Sequence, residues 1–208
     1  MQSEDEEALA YYSSQAAYGS SDYENRLAQS GYNVDPELSS RRAKVFSKKG
    51  GKTYVAYKGT NPLNPNDLEA DAAIALGVHR RHGQFREASD LAKQVKDKYG
   101  DNVIATGHSL GGTKAIESAN DAGLKAIVFN PGTGLAGLDT GEHKVFVKSG
   151  DPISSRVRGS NVTKSRGGHS LGGFEDQFRP KSVVMKKKKS FDRNDQFRFH
   201  GRVRRYRI

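Results

Sequence analysis

The amino-acid sequence predicts an α/β fold in which a mostly parallel sheet has helices on both faces and a basic tail follows at the C-terminus. The first observation is that short apolar strands alternate with helix-forming segments, which is typical of α/β architectures. The second is a strand at residues 103–105 that leads through Gly107-His-Ser-Leu-Gly-Gly112 into a helix-forming run at residues 113–122. A G-x-S-x-G spacing between a strand and a helix is the pattern of a nucleophile elbow.

The charge distribution divides the chain into two parts. Residues 179–208 hold twelve of the 34 Lys and Arg residues and two of the 24 Asp and Glu residues, so they account for the whole net charge of +10. A chain of 208 residues is long enough for one domain with a substantial core. We therefore expect a compact domain over residues 1–178 and a basic extension over residues 179–208.

Composition also limits the cellular setting and the kinds of site. The chain has no cysteine, which excludes disulfides and thiolate metal ligands and is consistent with a reducing compartment. It starts with acidic residues where a signal peptide would be basic and then apolar, and no apolar run approaches the length of a membrane span. We therefore expect no signal peptide or transmembrane segment, and a location in the cytoplasm or release by a route that needs no signal peptide.

The residues before the elbow predict a helical segment, a hairpin and a second helix. Residues 6–29 are helix-prone, with alanine, leucine and tyrosine close to a helical stripe. Residues 43–46 and 53–57 flank a Ser-Lys-Lys-Gly-Gly-Lys stretch, which indicates a hairpin whose second strand lies deep in the sheet. Residues 86–99 predict an amphipathic helix that covers the sheet. Its apolar positions are Ala88, Leu91, Ala92, Val95 and Tyr99.

Two further strands follow the elbow, at residues 125–130 and 144–148. The second of them ends in Ser149-Gly-Asp-Pro-Ile153. Sites of open α/β sheets gather at the carboxyl ends of strands, so Asp151 is a candidate to orient a histidine. The alternative is an aspartate that only starts a Gly-Asp-Pro turn.

The elbow itself contains the candidate nucleophile. Glycine on either side lets the strand and the helix pass closely, and the strained turn would lift the Ser109 hydroxyl clear of the sheet. The backbone N–H of Leu110, at the positive end of the following helix, would point at a substrate carbonyl oxygen. Taken alone, the motif also fits a glycine-rich turn whose serine has no chemical role.

Four motifs follow one another along the chain. They are Tyr57-Lys-Gly-Thr60, Asp67-Leu-Glu-Ala-Asp71, Val78-His79 with Gly83 and Phe85, and Thr106-Gly-His-Ser-Leu-Gly-Gly112. In this order they resemble the class 3 (fungal-type) lipase family of α/β-hydrolases, over roughly residues 12–174. The resemblance implies an α/β-hydrolase fold with Ser109 as nucleophile. It also implies an oxyanion hole formed by the N–H of Leu110 and by Thr60.

The chain departs from the family pattern in ways that concern its substrate. Lys58 stands where arginine is usual, and Leu68 stands where tryptophan is usual. The lid segment, residues 61–70, has only Leu63 and Leu68 as large apolar residues. A lid opens onto an oil surface by exposing apolar area, at roughly 25 cal/mol per Å². So small a lid favours an esterase, a monoacylglycerol lipase or a phospholipase over a triglyceride lipase.

Six histidines could supply the general base. His79 and His82 precede the elbow, and His108 directly adjoins the nucleophile. His143 lies at the wrong end of a strand, and His200 belongs to the tail. His169 follows the candidate acid, as the order Ser, Asp, His requires in hydrolases of this fold. The resemblance agrees, since the family places its acid in a D-P-V segment and many plant members have the histidine in an H-x-L-x-x-Y stretch.

Residues 168–173 repeat residues 107–112 letter for letter, which could indicate a second nucleophile at Ser170. The flanking residues argue against this. The first copy follows an apolar strand and precedes a helix-forming run, whereas the second copy follows a polar loop. We therefore assign Ser109 as nucleophile and His169 as base, and we expect Ser170 to be a loop residue.

Together these features predict a serine hydrolase that cleaves carboxylic esters of lipids through Ser109, His169 and Asp151, by way of an acyl-enzyme and without a cofactor or metal. The tail suggests an anionic membrane surface as a further partner, ahead of nucleic acid. Its cations include Lys186, Lys187, Lys188, Lys189, Arg198, Arg202, Arg204, Arg205 and Arg207. The alternative is a catalytically silent hydrolase fold that binds anionic membrane or nucleic acid through this tail.

Overall fold

A computed structural model describes residues 5–59, 83–134 and 136–178. The helices are α1 (Glu6–Ala17), α2 (Ser21–Gln29), α3 (Gly83–Tyr99), α4 (Leu110–Ala122) and α5 (Glu175–Phe178), with a 3₁₀ helix at Leu171–Phe174. The strands are β1 (Asn33–Val34), β2 (Ala43–Ser47), β3 (Thr53–Tyr57), β4 (Val103–Ser109), β5 (Lys125–Pro131), β6 (Leu138–Asp139), β7 (Lys144–Lys148), β8 (Val157–Arg158) and β9 (Val162–Ser165).

The main sheet has seven strands in the order β1-β2-β3-β4-β5-β7-β9, and β6 pairs with β8 separately. The pairs β1–β2 and β2–β3 are antiparallel, which confirms the predicted hairpin. Strands β3, β4, β5, β7 and β9 are parallel. The mostly parallel sheet is therefore confirmed, and the carboxyl ends of five parallel strands lie at one edge of it.

Alternate residues along the strands divide the core into two layers, because successive side chains of a strand point to opposite faces. On one face, Val45, Val55 and Ala105 pack with α3 and α4; we call this the α3–α4 face. On the other face, Tyr54 and Ile104 pack with α1. Helices therefore cover both faces, as the sequence predicts.

The N-terminal segment, predicted as one helix-prone stretch, forms two helices, α1 and α2. Helix α1 begins after Asp5, whose carboxylate accepts hydrogen bonds from two backbone N–H groups of the first turn at 3.1 and 3.4 Å. The chain then turns at Gly19, which has a φ of +95°. A left-handed glycine is a common way to end a helix. The break leaves Tyr18 between α1 and α2.

The elements around the elbow agree with the predictions and are longer. Strand β4 continues beyond residue 105 to Ser109, and α4 starts at Leu110 instead of residue 113. No loop therefore separates the strand from the helix. Strand β9 was not predicted, because Val162–Ser165 contains one apolar residue in four and lies at the sheet edge.

Several predicted features lie outside the described residues. They are Thr60, the lid segment 61–70, the 67–71 motif, His79, His82, His200 and the basic tail at 179–208. In the part of the chain that the structure describes, none of the helices has the length and apolar character needed to span a membrane.

Candidate active site

The centre of the candidate site is the junction of β4 and α4. Ser109 has φ 57° and ψ −130°, a left-handed conformation that is strained for a residue with a side chain. The turn is tight: a Cβ on Gly107 would lie 2.5 Å from the carbonyl carbon of Gly111. Only glycine permits such an approach. The predicted strand–turn–helix is therefore present, with Ser109 at its apex.

The elbow packs directly against the chain that leaves β3. A Cβ on Gly111 would lie 2.2 Å from the carbonyl oxygen of Tyr57, and a Cβ on Gly59 would lie 2.8 Å from that of His108. The backbone of Gly59 is thus held beside the start of α4. Leu110 is the first residue of α4, where backbone N–H groups have no partner within the helix.

Asp151 and His169, which are distant in sequence, lie together. Nδ1 of His169 donates a hydrogen bond to Oδ2 of Asp151 at 2.8 Å. The carboxylate also accepts hydrogen bonds from the Ser154 hydroxyl at 2.6 Å and from the Ile153 N–H at 3.0 Å. Burial alone would raise the pKa of Asp151, but the hydrogen bonds from His169 and Ser154 hold it below its ordinary value. The charged carboxylate favours the tautomer of His169 with its proton on Nδ1.

The ring of His169 lies beside the elbow, and its second nitrogen lacks a partner in the described part of the chain. Its Nε2 atom is buried and has no hydrogen-bond partner among the residues that the structure describes. The ring centroid lies 4.7 Å from that of His108, which directly precedes Ser109. The structure thus brings His169 next to the elbow, with no hydrogen bond from Nε2 to the serine hydroxyl. Such contacts often tighten only in the substrate complex.

Hydrogen bonds to its backbone hold the loop that carries His169. Asn130, in β5, is fully buried, and its Nδ2 donates to the carbonyl oxygens of Gly168 and His169 at 3.2 and 3.0 Å. Its Oδ1 accepts the N–H of Lys148 at 2.8 Å. Nε2 of His108 donates to the same His169 carbonyl at 2.6 Å. The loop is therefore attached both to β5 and to the elbow.

Every parallel strand contributes a group to this edge of the sheet. Gly59 follows β3, Ser109 ends β4, Asn130 lies in β5, Asp151 follows β7 and His169 follows β9. The carboxyl edge is where sites of parallel sheets form. Sequence reasoning singled out Ser109, Asp151 and His169, and the structure places all three at this edge.

Tyr18 is a residue of this region that the sequence analysis did not single out. Its hydroxyl accepts a hydrogen bond from the N–H of Gly59 at 3.2 Å and donates to the carbonyl oxygen of His108 at 3.3 Å. Burial raises the pKa of Tyr18 to about 12, so the hydroxyl keeps its proton. Tyr18 therefore links the chain after β3 to the elbow. A tyrosine at the end of a helix-prone stretch offers no pattern that would reveal this contact.

The remaining described histidine and the second serine lie apart from these groups. His143 sits at the opposite end of β7, where its Nε2 donates to Asn120 at 3.0 Å and its Nδ1 accepts the Ala126 N–H at 3.2 Å. Ser170 is exposed, with a φ of −58°, and precedes the 3₁₀ helix. Both positions agree with the sequence-based expectation.

Elsewhere in the described residues there is a cavity, and there is no metal-binding cluster. The cavity has a volume of about 220 Å³ and lies on the α3–α4 face, with Arg42, Glu87 and Lys114 in its wall. Burial lowers the pKa of Lys114 to about 8, and its ammonium donates to the carbonyl oxygen of Lys58 at 3.3 Å. No group of three or more His, Asp or Glu residues in the described ranges could hold a metal ion.

Comparison with known proteins gives matches in sequence and in fold. A family model described as a Tle-like phospholipase domain matches residues 16–145, which is more than half of the chain. The chain is 34% identical over 115 residues to the extracellular phospholipase A1 of Serratia liquefaciens, and this alignment covers 51% of the chain and 34% of that protein. It also resembles a fungal lipase–inhibitor complex, solved as a model for interfacial activation in lipases.

The extent of these matches differs. The chain spans about a third of the length of the Serratia phospholipase. The likeness to the fungal lipase complex has a TM-score of 0.46 and 17% identity, and it covers 70% of this chain and 71% of that one. The family match includes the elbow and ends before Asp151 and His169.

Proposed function

The chain belongs to the family of Tle-like phospholipase domains, and we propose that it is a serine hydrolase that cleaves carboxylic ester bonds of lipids. This membership agrees with the class 3 lipase-like family that the order of its motifs indicates. One arrangement carries the proposal. Asp151 binds Nδ1 of His169, the ring of His169 lies beside the elbow that bears Ser109, and its buried Nε2 has no partner among the described residues.

In the proposed reaction Ser109 is the nucleophile and His169 the general base. A serine hydroxyl is a poor nucleophile at neutral pH, so Nε2 of His169 takes its proton while Oγ attacks the ester carbonyl. The proton then passes to the oxygen of the leaving alcohol, and an acyl-enzyme remains. Water, activated by the same nitrogen, releases the fatty acid and restores the serine. Asp151 keeps the imidazole in the required tautomer and stabilises its cation.

The tetrahedral intermediate needs donors for its oxyanion. We assign one to the backbone N–H of Leu110, at the first turn of α4, where the helix dipole adds to the effect. A second donor would come from Thr60, which follows Gly59 in the chain and lies outside the described residues. Loss of one such donor typically costs about 100- to 1000-fold in rate.

Phospholipid is the substrate class that the comparisons favour. The family description and the name of the Serratia relative both refer to phospholipases, and that relative is a phospholipase A1. Residues 61–70, for which the family resemblance predicts a lid, have few large apolar side chains, which makes a triglyceride surface less suitable. We therefore propose a phospholipase-type esterase, with monoacylglycerols and simple esters as further candidate substrates.

The test is hydrolysis of phosphatidylcholine in mixed micelles by the purified wild-type protein, beside Ser109→Ala and Ser170→Ala. Labels on the sn-1 and sn-2 chains identify the bond that is cleaved, and a triolein emulsion serves for comparison. We expect fatty acid release by the wild type and by Ser170→Ala, and a loss of at least about 10⁴-fold in Ser109→Ala. The two serines lie in identical hexapeptides, so the control is matched for local sequence.

Two outcomes would contradict the proposal. Full activity in Ser109→Ala would exclude the elbow serine as nucleophile. A wild-type protein that hydrolyses none of these esters, nor p-nitrophenyl butyrate, but sediments with anionic vesicles would favour the alternative of a catalytically silent fold that binds membranes through its basic tail.

A further inference from the structure

The loop that carries His169 is bound through its backbone as well as through its ring. We propose that Asn130 and His108 are positioning residues that place His169 by binding its carbonyl oxygen. The inference rests on the proposed function, because it takes His169 as the general base. Neither residue needs to touch the substrate. Both act through one backbone atom of the residue that would move the proton.

Asn130 uses its whole side chain for this attachment. Nδ2 donates to two successive carbonyl oxygens of the loop, those of Gly168 and His169, and Oδ1 accepts the N–H of Lys148 from the neighbouring strand β7. The residue is fully buried. A buried amide with all these bonds joins β5, β7 and the loop as one unit, and removal of the amide would leave several backbone groups without partners.

The backbone of Asn130 is strained in a way that a purely structural strand residue would not require. Its φ is 40°, and within the described ranges only Asn130 and Ser109 combine a side chain with a positive φ. Asparagine tolerates this conformation better than most residues. Such strain persists only where surrounding contacts maintain it, and it is concentrated at functional sites.

His108 holds the same carbonyl from the elbow side. A carbonyl can only accept, so Nε2 of His108 must bear the proton in the 2.6 Å hydrogen bond to His169. Nδ1 then bears no proton and lies 3.4 Å from the Tyr18 hydroxyl, which donates to the His108 carbonyl oxygen. Burial and the nearby His169 lower the pKa of His108 to about 4, so its ring stays neutral at physiological pH.

Two anchor points determine where the reactive nitrogen of His169 lies. The bond from Nδ1 to Asp151 sets the rotation of the ring, whereas the bonds to the carbonyl fix the backbone from which the ring extends. Without the second anchor the ring could still pair with Asp151 while Nε2 moved away from Ser109. A displacement of about 1 Å in a catalytic group can cost about 100-fold in rate.

The experiment compares variants that keep or remove each donor. Asn130→Gly accepts the positive φ and lacks the amide, and Asn102→Gly is its control. Asn102 also donates a side-chain hydrogen bond to a backbone carbonyl, that of Gly51, but it precedes β4 at the opposite end of the sheet. His108→Leu removes the Nε2 donor, and His108→Gln returns an amide N–H at a similar reach.

Each protein is assayed for kcat and KM on a soluble ester and for the rate at which a fluorophosphonate labels Ser109. We expect Asn130→Gly and His108→Leu to lower kcat and the labelling rate by about 10- to 100-fold with little change in KM. Asn102→Gly should retain wild-type rates, and His108→Gln should recover most of the loss seen with leucine. A purely structural role would not separate Gln from Leu in folded protein.

Nitrogen-15 histidine NMR tests the placement without any assay of activity. We expect the Nδ1 proton of His169 to exchange slowly with water in the wild type and in Asn102→Gly, and faster in Asn130→Gly. If the wild type proved inactive, the proposed function would fail while this comparison would still decide the positioning. Unchanged exchange and unchanged kcat in Asn130→Gly would overturn the inference, as would equal losses in His108→Gln and His108→Leu.

Discussion

The hexapeptide Gly-His-Ser-Leu-Gly-Gly occurs at residues 107–112 and again at residues 168–173, and it folds differently in the two places. In the first copy Ser109 is buried, has a φ of 57° and directly precedes the 13-residue helix α4. In the second copy Ser170 is exposed, has a φ of −58° and leads into a four-residue 3₁₀ helix. Identical local sequence therefore yields two conformations within one chain.

The difference shows that the flanking residues and the surrounding sheet decide the conformation. The first copy continues a fully buried strand and enters a helix rich in alanine. The second follows the polar strand β9 at the edge of the sheet. Tertiary packing overrides the local preference of a short segment, which is why a motif needs its structural context.

The histidines of the two copies also have different partners. His169, in the second copy, donates Nδ1 to the carboxylate of Asp151, whereas Nε2 of His108 meets a backbone carbonyl. The elbow of one copy thus supplies the proposed nucleophile and the loop of the other supplies the proposed base. On this proposal the two copies are complementary parts of one site, and the following predictions test that division.

The largest effect is expected when the carboxylate is removed. Asp151→Asn keeps the size of the side chain but favours the wrong tautomer of His169, so we expect kcat on a soluble ester to fall about 10⁴-fold. Asp101→Asn, at an exposed aspartate paired with Lys96, is the control and should leave kcat unchanged. Activity preserved in Asp151→Asn would mean that the Asp151 carboxylate does not orient the base.

A smaller effect is expected from an added methyl group, and it should differ between the copies. A Cβ on Gly111 would lie 2.2 Å from the Tyr57 carbonyl oxygen, whereas the nearest described atom to a Cβ on Gly172 would be the Ser170 hydroxyl oxygen, at 3.5 Å. We expect Gly111→Ala to lower the free energy of unfolding by about 3 kcal/mol and Gly172→Ala by less than about 0.5 kcal/mol. Urea denaturation measures both. Equal losses would show that the elbow is not uniquely tight.

The smallest effect concerns the pH dependence of stability through His108. Burial and the neighbouring His169 lower its pKa from 6.5 to about 4 in the folded protein. Between these values the unfolded chain binds the proton and the folded chain does not, so stability falls as the pH falls. From about pH 7 to about pH 5 the wild type should lose about 1 to 2 kcal/mol more than His108→Gln.

Urea denaturation of both proteins across this pH range measures the difference. Parallel curves for the wild type and His108→Gln would mean that the histidine of the first copy titrates normally. A difference of the opposite sign would mean that it is held as a cation, which its hydrogen bond to the His169 carbonyl alone would allow.

Much of the fold can be predicted from the sequence because the central strands are apolar and their turns are distinctive. Strands β3, β4 and β5 contain apolar runs, at residues 54–57, 103–105 and 126–129, and the β2–β3 hairpin surrounds a Gly-Gly turn. The edge strand β9 is polar, so its pairing with β7 depends on backbone hydrogen bonds that leave no hydrophobic pattern. The break after α1 depends on the conformation of one glycine.

The residues of the candidate site also differ in how far the sequence identifies them. Ser109 is recognisable from a local motif, and Asp151 and His169 from their position and order after it. Asn130 and Tyr18 are not, because each contacts backbone atoms of residues far away in the chain. Almost every residue has a backbone N–H and a carbonyl, so a side chain that binds them requires no particular partner residue. No residue pattern therefore identifies such side chains in advance.

The five parallel strands that build the site follow one another both across the sheet and along the chain, from β3 to β9. During translation the elbow is therefore synthesised before Asp151 and His169. Domains begin to fold as they emerge, and a chain made only as far as β5 has a serine with neither acid nor base. On the proposed mechanism such a nascent chain cannot hydrolyse lipid, so the activity appears only in molecules whose synthesis has passed β9.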